Sequence, residues 1–212
     1  MKAWSSWYAD LLPQLPGCPD PLVDHELLRA CQEFFDRSRA WQVVQLPIAV
    51  AANQTSIDLT PGDTGQDLVR IEGAWLDGKR IDISSPDDMD TAFPDDWQLH
   101  TGSISKLVQI TPGTALLYPI PLSAAVTGLK LRLSVKPSDS ATGIPDDMFV
   151  KYRDKLAAGA RARLMLQAGE KWSNQNLGIM NAGIFEAAIG TANANAARSF
   201  STGRISGRPR FA

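Results

Sequence analysis

The spacing of apolar residues changes twice along this chain of 212 residues. In 1–41 and 145–200, apolar side chains recur every three or four positions, which predicts amphipathic helices. In 42–137, short runs of Val, Ile, Leu and Thr alternate with turn residues, which is typical of antiparallel β structure. Because each helical end carries an apolar stripe that must be buried, the two ends should pack together. We therefore predict an α+β fold, in which a helical bundle carries an inserted antiparallel β-sheet or small sandwich.

The amino-acid composition is typical of a globular protein. Hydrophobic residues make up 44% and charged residues 21% of the chain, which excludes a wholly disordered or collagen-like protein. The net charge of −2 gives no overall basic field toward nucleic acid. No apolar run reaches the roughly 18 residues that span a bilayer, and the N-terminus lacks the apolar segment of a secretory signal. Cys18 and Cys31 cannot form a disulfide framework, so we expect a soluble protein of a reducing compartment.

Start signals predict three helices. Asp20 as N-cap and Pro21 at the first helical position begin an amphipathic helix of about six turns. Pro145 begins the second helix, which ends near Gly169. The third helix runs from about Ser173.

Turn residues divide the central region into strands. The predicted strands lie near 43–50, 55–60, 67–76, 79–84, 104–110, 114–118 and 128–136. Asp77-Gly78 predicts a two-residue hairpin of type I′. From Leu129 to Val135 apolar and polar residues alternate, which predicts a strand with one buried face.

Motifs for catalysis or cofactor binding are weak. Residues 73–80 nearly match a phosphate-binding P-loop, but Arg80 replaces the magnesium-binding hydroxyl and a strand follows where a helix is needed. No zinc-site spacing joins the soft metal ligands, which are Cys18, His25, Cys31 and His100. We therefore expect no catalytic residues, no cofactor and no metal.

Five aspartates cluster in a Ser/Pro-rich stretch. They are Asp87, Asp88, Asp90, Asp95 and Asp96. The stretch does not match an EF-hand, so the prediction is a solvated loop, with calcium binding as the alternative. Repeated around an oligomer, these carboxylates would form a negative rim.

The last predicted helix has an unusual surface, because it carries no charge between Glu186 and Arg198. A solvated helix normally carries charge on its outer face. The smooth Ala/Asn surface therefore indicates that another helix or another subunit lies against it, and both alternatives stay open. The predicted subunit-interface residues are Asn181, Ala188, Ala192, Asn195 and Ala196.

An Arg-rich segment follows the last helix. Residues 198–212 contain four arginines and no acid, and without these arginines the net charge of −2 becomes −6. Such a segment cannot bury enough apolar surface to fold alone, so it should order on a partner. Contact of the arginines with DNA phosphates, or a tail without a role, are the alternatives.

The order of segments resembles that of a phage protein family. The residues that carry the likeness are Lys136-Pro137-Ser138, Ile144-Pro145-Asp146-Asp147-Met148-Phe149, Tyr152, Gly159-Ala160, Leu164, Trp172 and Phe185. In this layout the chain resembles the head-to-tail adaptor proteins of tailed bacteriophages, especially the tail-tubular adaptors of short-tailed phages. The segment 15–21, followed by Ala30, Phe34-Phe35 and Trp41, is similar to phage and prophage neck proteins.

The resemblance implies a structural virion protein that is not an enzyme. Such adaptors are assembled in the host cytoplasm as a ring, commonly twelvefold, beneath the portal vertex at the virion neck. The ring binds the portal protein and a downstream tail or nozzle protein, and double-stranded DNA passes through its channel without sequence-specific contacts.

The resemblance also implies a division of the chain. Residues 1–41 and 145–200 would form the helical adaptor core, 42–137 the β-rich region, and 201–212 an extended tail along the portal. The implied portal-binding residues are Arg198, Phe200, Arg204, Arg208, Arg210 and Phe211.

Two further function classes remain as alternatives. A monomeric carbohydrate- or receptor-binding module of a phage tail would use exposed aromatic residues, namely Trp75, Trp97 and Tyr118. A hydrolase would need His100 with a nearby aspartate, although no acid–base motif supports it.

Overall fold

The computed structural model describes residues 1–125 and 127–197. The chain divides into two compact units. Among the described residues, the helical unit consists of 1–41 together with 139–197, and the β unit consists of the described residues of Gln42–Ser138.

Four of the five α-helices lie toward the two ends of the described chain, and nine of the eleven strands lie in its centre. The helices are α1 (Tyr8–Leu11), α2 (Asp20–Ser38), α3 (Pro86–Ala92), α4 (Asp146–Met165) and α5 (Gln175–Ala197). The strands are β1 (Lys2–Ala3), β2 (Gln42–Ile48), β3 (Ser56–Asp58), β4 (Gln66–Leu76), β5 (Lys79–Ser84), β6 (Thr101–Gly102), β7 (Lys106–Thr111), β8 (Thr114–Tyr118), β9 (Ile120–Pro121), β10 (Leu129–Pro137) and β11 (Gly143–Ile144). This order confirms the predicted α+β class.

The helical unit is built on an aromatic core shared by α2, α4 and α5. The ring centroid of Phe34 in α2 lies 4.9 Å from that of Tyr152 in α4 and 6.0 Å from that of Phe185 in α5. Trp7 is fully buried and meets Phe149 edge-on at 4.5 Å. Such ring pairs contribute about 0.5–1.5 kcal/mol each beyond their buried area. The N- and C-terminal helices therefore pack together, as their stripes predict.

The Trp-rich N-terminal segment is tied to the start of α4. β1 pairs antiparallel with β11, so that Lys2 lies opposite Ile144. The indole N–H of Trp4 donates to the carbonyl of Ala141 at 2.8 Å, and that of Trp7 donates to the carbonyl of Arg153 at 3.1 Å. These bonds let both tryptophans be buried without an unpaired donor.

Three predicted boundaries, the start of α2 and both ends of α4, are wrong by one or more residues. Asp20 is the first residue of α2 and not its N-cap, because Pro19 holds the extended cap position and no side chain caps this end. Pro145 holds the same position before α4. Gly169, with φ +84°, lies beyond the end of α4 in the turn that follows.

The start of α5 follows from the hydrogen bonds of two neighbouring side chains. The side-chain oxygen of Asn174 accepts from the backbone N–H of Leu177 at 3.1 Å, which is the bond of an N-cap. The hydroxyl of Ser173 instead donates to the carbonyl of Met165 at 3.3 Å. The helix therefore begins after Asn174, two residues later than predicted.

Gly159 allows α4 and α5 to approach closely. A Cβ at this position would lie 2.6 Å from the ring of Phe185. That ring is only 5% exposed and contacts Phe34, so it has little room to move.

We expect Gly159→Ala to lower the free energy of unfolding by about 1–2 kcal/mol, because overpacking outweighs the helix propensity that alanine adds. Gly183→Ala in α5 is the matched control, since no atom beyond its chain neighbours and its own helix backbone lies within 4 Å of its Cβ position. The control should be neutral or more stable by up to about 1 kcal/mol. Urea denaturation measures both variants, and equal stability of the two would contradict this account of the helix contact.

The β unit is built around a mixed sheet of seven strands that curls into a half-barrel. The strand order is β2-β10-β4-β5-β7-β8-β3, and β6 and β9 form a separate short pair. Neighbours in the large sheet are antiparallel except β5 and β7, which run parallel. The prediction of a wholly antiparallel sheet is therefore wrong at this pair, because the connection from β5 to β7 contains α3 and crosses over.

The seven strands of the large sheet lie within a few residues of their predicted positions, whereas the short strands β6 and β9 were not predicted. The β4–β5 hairpin has the predicted turn. Leu76 pairs with Lys79, which leaves a two-residue loop. Asp77 and Gly78 both have positive φ, at 47° and 78°, as a type I′ turn requires.

β10 lies between β2 and β4 and confirms the predicted alternation. Its fully buried side chains are Leu129, Leu131, Leu133 and Val135. Lys130 and Arg132 project from the opposite face, which we call the outer face of the sheet. Ser134 is buried as well, and its hydroxyl donates to the carbonyl of Arg70 at 3.3 Å.

The aspartate-rich stretch contains a helix that the loop prediction missed. The hydroxyl of Ser85 accepts from the N–H of Asp88 at 3.1 Å, and the Asp88 carboxylate accepts from the N–H of Ser85 at 3.4 Å. This capping box, with Pro86 after the cap, begins α3. A small core lies beneath it, formed by Met89, Trp97, Val108 and Tyr118.

Candidate functional site

The predicted portal-binding residues lie outside the described residues. They are Arg198, Phe200, Arg204, Arg208, Arg210 and Phe211. Their role stays a prediction. The candidate surfaces of the described chain are on α5 and on the β unit.

Four of the five predicted subunit-interface residues are buried within the helical unit. These four are Asn181, Ala188, Ala192 and Ala196. The face of α5 that carries them packs on α2 and α4, which is the helix-pair alternative. The amide of Asn181 donates to the carbonyl of Leu177 at 2.8 Å, so its polar group is satisfied inside its own helix. Asn195 is exposed, and its interface role stays a prediction.

A strip of uncharged side chains runs along the exposed side of α5. We name it the α5 strip, and it consists of Leu177, Met180, Ile184, Ala187, Thr191 and Asn195. Spacings of three and four residues place these side chains on one side of the helix. Met180 is 55% exposed and Ile184 is 48% exposed. A row of exposed apolar side chains on a helix is typical of a surface that another chain covers.

A groove between α4 and α5 opens beside the N-terminal half of the α5 strip. Its volume is about 480 Å³, and the strip residues Leu177, Met180 and Ile184 form one wall. The opposite side includes Asp154 and Arg161 of α4. The groove therefore offers an apolar floor with charged groups at its rim, which can hold an apolar side chain of another molecule.

The one charged residue of α5, Glu186, is neutralised by α2. The guanidinium of Arg37 donates to both carboxylate oxygens of Glu186 at 2.6 Å, and it donates to Glu33 at 2.9 Å. The bonds from Arg37 lower the pKa of Glu186, and the two carboxylates raise the pKa of Arg37. The exposed side of α5 therefore presents no unpaired charge among the described residues.

The outer face of the sheet carries a second groove, which we name the basic groove. It lies over β2, β10 and β4, has a volume of about 530 Å³, and is lined by Val44, Pro47, Trp75, Gly78, Thr127, Gly128, Lys130 and Arg132. The Trp75 ring covers Gly73, because a Cβ on that glycine would lie 2.7 Å from the ring. The guanidinium of Arg132 lies 5.8 Å from the ring centroid, within cation–π range.

An acidic surface lies elsewhere on the same unit. We name it the acidic cap, and it consists of Asp87, Asp88, Asp90, Asp95 and Asp96. Asp90 accepts a hydrogen bond of 2.8 Å from the indole of Trp97, which fixes the segment after α3. Among the described residues, no three His, Cys, Asp or Glu side chains lie close enough to hold a metal ion.

The aromatic residues of the receptor-binding alternative are mostly inside the β unit. Trp97 is 5% exposed and Tyr118 is 6% exposed, so the expectation that they are exposed is wrong. Both pack under α3, with ring centroids 5.9 Å apart. Trp75 alone of the three is partly exposed, in the basic groove.

The titratable groups of the described chain form no catalytic arrangement. The Nδ1 atom of His100 lies 3.3 Å from the hydroxyl of Tyr118, and no described carboxylate is hydrogen-bonded to this imidazole. Burial raises the pKa values of the Cys31 and Cys18 thiols, which disfavours the nucleophilic thiolate. Within residues 1–125 and 127–197, no helix is both long and apolar enough to cross a membrane.

The chain matches a known protein family. The family model of the SU10 adaptor protein matches residues 8–207, which covers nearly the whole chain and both units. A search of the curated proteins finds no match. The family is one of structural phage adaptors, so the protein is not an enzyme. The fold and the extent of this match show that the chain belongs to the SU10 adaptor protein family of phages.

Proposed function

We propose that this adaptor forms a closed ring of identical subunits that joins the portal vertex to the tail and extends the DNA channel. The protein is a phage virion protein, and as an adaptor it has partners among the other virion proteins. The observation that carries the ring is the α5 strip, because a helix with exposed Met180 and Ile184 and no unpaired charge suits a subunit contact.

Covering the α5 strip in a contact between subunits is energetically favourable relative to leaving it exposed to water. Met180 and Ile184 are each about half exposed, so covering them contributes roughly 1 kcal/mol per side chain. A ring uses contacts between two different surfaces of each subunit, and closure lets many modest contacts act together. The α4–α5 groove can supply part of such a contact, since strip residues form one of its walls.

Attachment to the portal is proposed for the Arg-rich segment. Arg198, Arg204, Arg208 and Arg210 can form bidentate pairs with carboxylates, and arginine is more weakly hydrated than lysine. The rest of the chain has a net charge of −6 without these arginines, so its overall field does not retain DNA phosphates. The separation of a basic C-terminal segment from an acidic remainder suits a ring in which the segment binds a protein partner and DNA passes through the channel without being retained.

The test is native mass spectrometry and negative-stain imaging of the full chain, alone and with purified portal protein. We expect closed rings, either in both samples or only when portal is present. A monomer in both samples would overturn the ring. A monomer that also binds glycans on an array would instead support the receptor-binding module.

A further inference from the structure

Two surfaces of opposite charge lie on the outer face of the β unit. Lys130 and Arg132 line the basic groove, and Arg80 of β5 lies opposite Trp75 on the same face. The acidic cap belongs to the connection between β5 and β7. Its underlying side chains, Met89 and Phe93, pack on Val108 and Tyr118 of β7 and β8.

Because the sheet is curled, the basic groove and the acidic cap face in different directions. The basic groove covers β2, β10 and β4 at one end of the strand order, whereas α3 covers β7 and β8 toward the other end. Because the sheet bends into a half-barrel between them, their outward directions diverge. Complementary surfaces that diverge on one chain favour head-to-tail association, which closes into a ring when the rotation allows it.

We propose that the acidic cap of one copy docks in the basic groove of the next copy. This inference rests on the proposed function, in which identical subunits form a ring. It assigns the contact made by the β unit, in addition to that made by the α5 strip.

Two cations at the basic groove, Lys130 and Arg80, are exposed to such a partner. The carboxylate of Asp77 is engaged by Thr127, whose N–H and hydroxyl both donate to it at 2.7 Å. Glu72 accepts from Arg70 at 3.0 Å. Asp77 and Glu72 thus have partners, and Asp82, on the same face as Arg80, lies opposite Lys106 of β7. The side chains of Arg80 and Lys130 are exposed. The groove attracts a carboxylate-bearing partner for this reason.

The acidic cap matches the groove in charge and in apolar content. Asp87, Asp95 and Asp96 are exposed. At the base of the cap, the ammonium of Lys106 lies over the ring of Phe93. Leu99, two residues after the buried Trp97, is 71% exposed. An exposed leucine beside carboxylates fits a groove that combines Trp75 and Val44 with cations.

The test is charge reversal on each surface, followed by sedimentation velocity and negative-stain imaging. The groove variant carries Arg80→Glu and Lys130→Glu, and the cap variant carries Asp87→Lys and Asp95→Lys. These positions leave the structural bonds of Asp88 and Asp90 intact. The control matched to the groove variant carries Arg29→Glu and Lys171→Glu, which make the same change in net charge at exposed sites of the helical unit.

We expect each reversed variant to self-associate roughly tenfold more weakly than the wild type, and an equimolar mixture of the two to recover assembly. Wild-type assembly should weaken as salt is raised. The control should assemble as the wild type does. Circular dichroism of each variant checks that it is folded.

Three other results have distinct meanings. If the wild type forms rings and both reversed variants do so equally well, this contact is wrong while the ring stands. If the wild type forms no ring even with portal, the ring itself fails, and the contact fails with it. If the groove variant assembles normally but loses affinity for a labelled DNA duplex, the groove is a DNA surface and the proposal is overturned.

Discussion

Ile184→Glu should abolish ring formation while the subunit remains folded. Ile184 is 48% exposed on the α5 strip and forms part of the wall of the α4–α5 groove. In the free subunit a glutamate at this position can reach water, so the free energy of unfolding should change by less than about 1 kcal/mol. In a subunit contact the same carboxylate would be removed from water close to Asp154, which costs several kcal/mol. Arg161, on the same side of the groove, already donates to Gln14 and to the carbonyl of Ala157 and therefore offsets only part of this cost.

Ile179→Glu is the matched control for this variant. Ile179 lies on the same helix, is 60% exposed, and falls on the other flank of α5, away from the strip. The control should assemble normally if the strip is the contact surface. Size-exclusion chromatography with light scattering measures the oligomeric state of both variants, with portal added if the wild type needs it. Equal assembly of the two would show that the strip is not an interface.

Four of the five interface residues predicted from the sequence lie on the buried face of α5, whereas the α5 strip lies on its exposed side. Apolar and small residues occur all around α5, so spacing could not distinguish the side that packs on α2 and α4 from the side that is exposed. The buried face includes Phe185, whereas Met180 and Ile184 are exposed. The positions of α2 and α4 determine which side of α5 is buried, and much of α5's packing is with residues distant from it in the sequence, which the spacing within α5 does not report.

The strands and the hairpin were predictable because their signals are local. A type I′ turn needs positive φ at two positions, and Asp77-Gly78 supplies residues that tolerate it. The alternation in β10 reports one buried face directly. The parallel pairing of β5 with β7 was not predictable in this way, because it depends on a crossover through α3.

The start of α3 has a local sequence signal, although the five neighbouring aspartates led to the prediction of a loop. Ser85 and Asp88 have the spacing of a capping box, and Pro86 suits the first helical position. The burial of Trp97 and Tyr118 depends instead on α3 packing over β7 and β8, so the sequence suggested exposed aromatics where a small core exists.

Removal of residues 201–212 should abolish attachment to the portal and leave the subunit folded. The aromatic core formed by Phe34, Tyr152 and Phe185 lies entirely before this segment, so the thermal unfolding midpoint should be unchanged. Ordering a segment on a partner costs about 1–2 kcal/mol per residue, which the arginine pairs and the apolar contacts of Phe211 must offset. The contacts of one tail are therefore marginal, and binding depends on many tails around a ring.

A lysine variant separates the two partners that the arginines could meet. Replacing Arg204, Arg208 and Arg210 with lysine retains the charge but removes the planar fork that pairs with carboxylates in a bidentate manner. If the tail binds portal carboxylates, this variant should bind the portal at least tenfold more weakly, because each bidentate pair is lost. Contact with DNA phosphates tolerates lysine as a point charge, and binding would then depend steeply on salt.

Surface plasmon resonance on immobilised portal, at two salt concentrations and without DNA, measures the truncated chain and the lysine variant against the wild type. Unchanged affinity of the truncated chain would show that the portal is held by another surface.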